Sequence, residues 1–342
     1  MGIAMKTRKF SEFVRSVALA ALVFGVSAVS SKNASAQQQV QFMMDFLPSG
    51  EYAAFYGGWA KGFWKEEGID ITVTRGYGSS DTVTKVANGA AEFGISDLGS
   101  MMTARQRAGA PVKAISSLYT YSPHSFFVLE SSGINSIKDL AGKRLGITPG
   151  NSHRIYFPEV AKRVGIDENS ITWVSVDGSA MGTLLIQKKI DAAPLYTIHH
   201  YFNNKAAKMA GESIKILPYV ETGFKIYSSV ILTNEKIIAQ NPELVKAFLR
   251  GVQRSLLWAR DNREEACKLH VEKVPTIALD DCLGSLNATM DLVFNKDSEG
   301  SAFGKFDPAR LKFTYQVVAK AQDLKPDWDP QQAVDTSFLP PR

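Results

Sequence analysis

Apolar residues alternate with polar ones at Ile69, Ile71 and Val73, the two-residue period of a half-buried strand, and predict a strand over 69–74. Gly76 and Gly78 then allow a tight turn, and Ser79 or Ser80 can cap a helix at its far side. Val83, Val86, Ala87 and Ala90 recur at the spacing of one helical face, Gly89 ends that helix, and Phe93 and Ile95 belong to the next strand. The helix therefore opens just beyond a strand's carboxyl end. Open α/β sheets hold ligands there, and free N–H groups at a helix start favour an anion or a hydrogen-bond acceptor. One such turn alone is also ordinary connecting chemistry.

The same grammar runs along the chain. It predicts a strand over 40–46, a helix over 52–67, a helix over 98–108 and a strand over 112–117. Phe55, Trp59 and Phe63 read as the core face of the first of these helices, whereas Tyr52, in its first turn, stands near a strand end and can reach into a cleft. The apolar run 125–129 reads as a crossing into a second lobe. There Thr148 to His153 lead into a helix through 164, and a strand over 171–176 ends in Asp177-Gly178-Ser179 before a helix through 187 and a strand over 190–195. Residues 196–210 read as helix, 214–219 as extended, and 226–233 as the crossing back. Asn241-Pro242-Glu243 starts a further helix, with Asn as cap and Pro at the first helical position, that buries Val245, Phe248, Leu249, Val252, Leu256 and Ala259. Two crossings predict one lobe from 37–124 and 229–342 and a second from 125–228, each an α/β layer with a mainly parallel sheet flanked by helices, the crossing segments acting as hinge.

Composition changes this picture at the start of the chain. Lys6, Arg8, Lys9 and Arg15 precede an apolar run over 17–29, and Ala34-Ser35-Ala36 has the small-residue pattern of a signal-peptidase site, so residues 1–36 read as a secretory leader removed after Ala36. The apolar run is shorter than the roughly 20 residues of a membrane span. The leader holds five Lys or Arg and one Glu, and removing them from 39 and 34 leaves 34 basic and 33 acidic residues. A balance near zero gives no reason to invoke nucleic acid or an anionic membrane surface. Cys267 and Cys282 remain; an oxidising compartment permits a disulfide between them, and two buried free thiols fit the sequence as well. No cysteine stands at the cleavage site to carry a lipid, so a periplasmic location is expected.

Gly57 to Ile69, Gly78-Ser79-Ser80 on through Val86 to Gly94, and Ile137 to Lys143 together resemble the solute-binding proteins of ABC importers, in the family that includes binders of thiamine pyrimidine precursors, alkanesulfonates, taurine and nitrate. The resemblance implies the two-lobed periplasmic-binding-protein fold, closing on a small molecule by hinge motion, a membrane permease with its ATPase as partners, a monomer, and no cofactor. Ligand positions carried over from the family lie within 45–52, including Asp45 and Tyr52, and at Tyr77, Gly78, Ser79, Ser80, Ser96, Asp97 and Tyr119 in the first lobe. In the second they are Asn151, Ser152, Asp177, Ser179, Tyr196 and Glu221. Tyrosines beside carboxylates and hydroxyls suit a small planar, nitrogen-bearing, pyrimidine-like ligand. The rival is a small anion such as a sulfonate, nitrate or carboxylate, for which Arg75 and Arg154 are the nearby cations, neither at a clear strand end.

Some relatives with this fold make the thiamine pyrimidine instead of carrying it, and the resemblance implies that they rely on an iron-linked, cysteine-rich cluster. The chain has no such cluster and no metal spacing among its five histidines. His199 and His200 are adjacent and read as an exposed helix surface. The expectation is a binding protein without catalysis.

Overall fold

The computed structural model describes residues 37–300 and 303–341; the leader expected over 1–36 lies outside them. The first elements are β1 (Gln38–Met43), α1 (Ala53–Ala60), β2 (Ile69–Thr74), α2 (Ser79–Ala87), β3 (Phe93–Asp97), α3 (Leu98–Ala108) and β4 (Val112–Ser117). They are the strand and helix alternation expected from the periodicity. α1 stops at Ala60, short of the expected 67, where Lys61 to Gly68 form turns and Gly62 takes φ +76°. Phe55 and Phe63 are buried as expected, and Trp59 is half-buried under the Lys273 ammonium. α2 also departs from expectation at its start: Gly78, with φ +125°, occupies the cap position, and neither Ser79 nor Ser80 caps the helix.

β5 (His124–Leu129), β6 (Arg144–Ile147), α4 (His153–Val164), β7 (Thr172–Ser175), α5 (Met181–Ile186), β8 (Ala193–Tyr196), α6 (His200–Met209) and β9 (Ile214–Pro218) come next. The chain then returns through β10 (Ser229–Asn234) and continues as α7 (Glu235–Gln240), α8 (Pro242–Asp261), α9 (Arg263–Lys273), α10 (Leu279–Val293) and α11 (Pro308–Gln322). The first sheet has the order β2-β1-β3-β10-β4; β1 runs parallel to β2 and β3, and β10 antiparallel to β3 and β4. The second arrangement has β5 antiparallel between β8 and β9, while β6 pairs in parallel with β7 and its Leu145 forms an isolated parallel bridge to Ala192, just before β8. The first sheet is thus mixed, the second arrangement sets an antiparallel trio beside a parallel pair, and in each the antiparallel strand is the one the chain enters by crossing over. All five residues of β3 and all six of β5 and of β10 are buried, as strands covered on both faces must be.

Packing follows the sequence pattern. Asn241 caps α8 by accepting the Leu244 N–H, Pro242 sits in its first turn, and its apolar face meets the first sheet. Phe248 stacks on Phe93 with centroids 3.7 Å apart, and the Trp64 indole N–H donates to the Phe248 carbonyl at 3.0 Å. Cys267 in α9 is disulfide-bonded to Cys282 in α10. α11 serves both sides: Leu311, Tyr315 and Ala319 pack with residues of the first sheet, and Val317 and Val318 join the cluster of Phe126 of β5, Tyr156 of α4 and Phe224. Among the described residues no helix is long and apolar enough to cross a membrane.

Candidate ligand-binding site

Two carboxylates arise from the loop after β1. Asp45 and Phe46 follow the strand directly, and Ser49 then caps a single 3-10 turn, Gly50–Tyr52, by accepting the Glu51 N–H at 3.3 Å. This turn lies hard against α10: a Cβ on Gly50 would come within 1.9 Å of the Cys282 carbonyl oxygen, so only glycine fits. The buried side chains around the carboxylates act as holders. The Tyr52 hydroxyl donates to Asp45 Oδ1 and the Ser79 hydroxyl to Asp45 Oδ2, each at 2.8 Å. The Tyr119 hydroxyl donates to Glu51 Oε1 at 2.8 Å, and His199 Nε2 lies 3.1 Å from Glu51 Oε2. Each carboxylate oxygen keeps a further lone pair for a ligand donor.

The opposite wall comes from the loops before α4 and after β8. Ser152 Oγ lies 2.9 Å from His124 Nε2 and 3.3 Å from the Tyr196 hydroxyl. His153 Nδ1 meets Asn151 Oδ1 at 2.7 Å, and its Nε2 lies 3.3 Å from the Leu195 carbonyl. Besides the approach of His199 to Glu51, the Tyr156 hydroxyl from α4 joins the two sides by donating at 2.8 Å to Asp97, which also caps α3 by accepting the Gly99 and Ser100 N–H groups. At the outer rim, the Lys205 ammonium of α6 bridges Asp280 at 2.6 Å and Asp281 at 2.9 Å on α10.

Between the walls lie two adjoining cavities. The inner one, about 30 Å³, is lined by Asp45, Glu51, Ser79, Asn151, Ser152 and Tyr196 among others. The outer one, about 300 Å³, opens past Phe46, Leu195 and His199, which border both. Among the residues lining either cavity there is no lysine or arginine.

Of the positions expected from sequence, Asp45, Gly78, Ser79, Asn151, Ser152 and Tyr196 line the inner cavity and Ser179 the outer one. Tyr52 and Tyr119 are fully buried behind the carboxylates, Ser96 donates to the Ser79 carbonyl at 3.1 Å, and Asp97 accepts from the Tyr156 hydroxyl. Ser80 is half-buried at the edge, where its N–H donates to the Gly150 carbonyl at 3.3 Å. Tyr77 is 57% exposed, carries Arg75 and Lys85 against its ring, and lines neither cavity. Asp177 and Glu221 are exposed and line neither cavity; Asp177 accepts from the Ser179 N–H. His199 corrects the exposed-surface expectation: it is buried, because the turn after β8 aims it at Glu51, while His200 is half-buried with Nε2 3.1 Å from the Ile214 carbonyl. Sequence reasoning covers Phe46 and Glu51 only through the span 45–52, and it does not point to His153 or His199 as site residues. The usable signal for Glu51 is a carboxylate in the Ser49-Gly50-Glu51 turn just past a strand.

Burial decides the charge of this site. Asp45 is pushed up to about 7, first by burial and then by the neighbouring Glu51, with the hydrogen bonds from Tyr52 and Ser79 opposing. Burial raises Asp97 to about 6 against the hydrogen bonds that it accepts. Burial likewise pushes His153 down to about 3 and His124 well below its ordinary value, so both are neutral imidazoles at pH 7. The folded protein holds the Asp45 proton up to about pH 7, whereas the unfolded chain releases it near 3.8. The contribution of Asp45 to stability is therefore full below about pH 4 and is lost as pH rises to about 7. Asp45→Asn keeps the shape without the charge. It is expected to stabilise the fold at pH 8 by on the order of 2 kcal/mol, with the gain shrinking towards pH 5. Thermal melts of both proteins at the two pH values check this, and an equal gap at both would show that the Asp45 charge carries no folding cost.

Comparison with known proteins fits this geometry. The riboflavin-binding protein RibY of Chloroflexus aurantiacus is 27% identical over 312 residues, covering 89% of this chain and 86% of that protein. The 4-amino-5-hydroxymethyl-2-methylpyrimidine phosphate synthase of Legionella pneumophila is 28% identical over 218 residues, 63% of this chain and 67% of the other. Among solved structures, the alkanesulfonate-binding protein SsuA of Xanthomonas axonopodis pv. citri, bound to MOPS, superposes with a TM-score of 0.68 at 13% identity, over 87% of this chain and 98% of that one. The fold is that of the periplasmic binding proteins. The NMT1/THI5-like family profile matches residues 49–266, more than half of the chain, and with the two-sided cleft it accounts for, the protein belongs to the NMT1/THI5-like family.

Proposed function

We propose that this protein is the periplasmic solute-binding component of an ABC importer, which captures a small planar, nitrogen-bearing, hydrogen-donating molecule of pyrimidine-like kind and presents it to a permease and its ATPase. The lobes that close on it are 37–124 with 229–342, and 125–228. The observation that carries the ligand class is the pair Asp45 and Glu51 at the inner cavity with no lysine or arginine lining it. A ring with amino or ring N–H groups supplies the donors these acceptors need, and aromatic walls suit its faces.

An anionic ligand fits less well. Arg75 lies over the Tyr77 ring and Arg154 over the Trp173 ring, both outside the cavities, and the neighbouring His124 and His153 are neutral. A catalytic role is the second reading, favoured by the synthase relative and by the imidazoles at the site. Against it, both cysteines are tied in a disulfide and offer no thiolate, and the relative named as a binding protein aligns over more of the chain.

Thermal unfolding against a panel of aminopyrimidines, flavins, sulfonates, nitrate and carboxylates tests the reading. A true ligand at a hundredfold over its Kd adds about 2.7 kcal/mol of stability. Stabilisation by sulfonates or nitrate and not by the heterocycles would overturn the ligand class, and conversion of the stabilising compound by the purified protein, seen by mass spectrometry, would overturn the transport role.

A further inference from the structure

The two sides of the cleft also meet along its outer edge. α6, from the stretch 125–228, lies against α10, from the stretch 229–342, and the outer cavity takes Phe202, Asn203 and Ala206 from the first and Asp281 from the second. Two contacts make this seam. In one, Tyr201 of α6 sits over Gly284 of α10: a Cβ on Gly284 would lie 2.2 Å from Tyr201 Cγ and 2.7 Å from Tyr201 Cβ. In the other, the half-exposed Lys205 ammonium faces Asp280 and Asp281 together, one positive charge against two negative ones. Tyr201, Gly284, Lys205 and Asp280 line neither cavity.

The ion pairs hold the seam weakly. Pairs between exposed side chains contribute little and are screened by salt, and α10 keeps a surplus negative charge in its first turn. The ring on the bare helix is more specific. Glycine weakens a helix interior relative to alanine, and Gly284 does not take a positive φ, so its backbone does not call for glycine. The space above it does. Tyr201 Cβ is fixed by its own backbone, so no rotation of the side chain relieves a clash with it, and the two helices would have to part. Tyr201 is nevertheless exposed, so its ring is docked on the surface of α10 and not built into the core. A contact of that kind breaks without unfolding either helix.

Resting on the reading of this chain as a binding protein whose two sides close on a ligand, we propose that Tyr201 seated on Gly284 is a latch, holding the two sides together along the outer cavity from a place outside both cavities. Parting it opens the outer cavity along that edge. Tyr201 and Gly284 are thus positioning residues, acting on the cleft through α6 and α10.

Spin labels on Met209→Cys of α6 and Glu243→Cys of α8, both exposed positions, report the separation of the two sides in the protein without added ligand; the native cysteines are bridged and take no label. The labelled parent is expected to show a dominant short distance. Gly284→Ala is expected to raise the long-distance population at least threefold, since the added methyl wedges the seam while favouring the helix. Tyr201→Gly, which removes both the ring and its Cβ, is expected to raise it as well, and Gly284→Ala to add nothing in that background. A parent already at the long distance, parent-like distances in both variants, or an effect of Gly284→Ala that persists undiminished alongside Tyr201→Gly would overturn the latch. No ligand takes part, so that outcome leaves the binding role to the ligand panel, and a panel without a stabilising compound leaves the latch result standing.

Discussion

Cys267→Ala combined with Cys282→Ala is expected to lower the free energy of unfolding by about 3 kcal/mol, because the bridge closes a loop with a sequence separation of 15 and restricts the unfolded chain. Wild-type protein unfolded in urea with a thiol reductant should shift by a similar amount, and a double variant as stable as the oxidised parent would refute the effect. The loss should also reach the cleft. α10 holds the backbone of Cys282 against Gly50, and Gly50 begins the turn that carries Glu51 and Tyr52. Loosening α10 lets that turn drift, so ligand affinity measured well below the melting range should fall even where the protein remains folded.

The second large effect is on binding. Glu51→Gln preserves the size of the side chain and an acceptor for the Tyr119 hydroxyl, so the fold should survive, but the charge that strengthens a bond from a ligand N–H is gone. Hydrogen bonds to charged groups contribute about 1.5–3 kcal/mol, and the expected loss of affinity is therefore roughly 10- to 100-fold. Calorimetric titration of the variant with the best ligand of the panel measures it. Unchanged affinity would reduce Glu51 to a bridge between Tyr119 and His199 with no share in recognition.

Much of the fold was legible from local pattern, because period and turn chemistry are local properties. The alternation at Ile69, Ile71 and Val73 became β2, and Asn241-Pro242 began α8 where a cap followed by proline should. What pattern could not carry was direction in space. Tyr77 and Ser79 stand two residues apart at one turn, yet the tyrosine turns outward to meet Arg75 and Lys85 while the serine turns inward to Asp45. His199 and His200 look alike in sequence, but the short turn leading into α6 buries the first against Glu51. Glu51 was covered only by the span 45–52 and not picked out within it, because its partners, Tyr119 and His199, lie 68 and 148 residues away, and no local spacing announces a contact that long-range folding creates. The mixed direction of the sheets was equally non-local, since β10 finds its place only by returning to strands laid down far earlier.

That insertion has a consequence for the order of events as the chain acquires structure. β3 and β4 are not neighbours until β10 arrives between them, so the first sheet is incomplete until a segment more than a hundred residues downstream of β4 is available. The other pairings join partners nearer in sequence: β1 with β2 and β3, β6 with β7, and, over longer separations, β5 with β8 and β9. Pairings that close shorter loops form sooner. The entry of β10 therefore comes last, and β3 and β4, laid down early, wait with open edges for the chain's return.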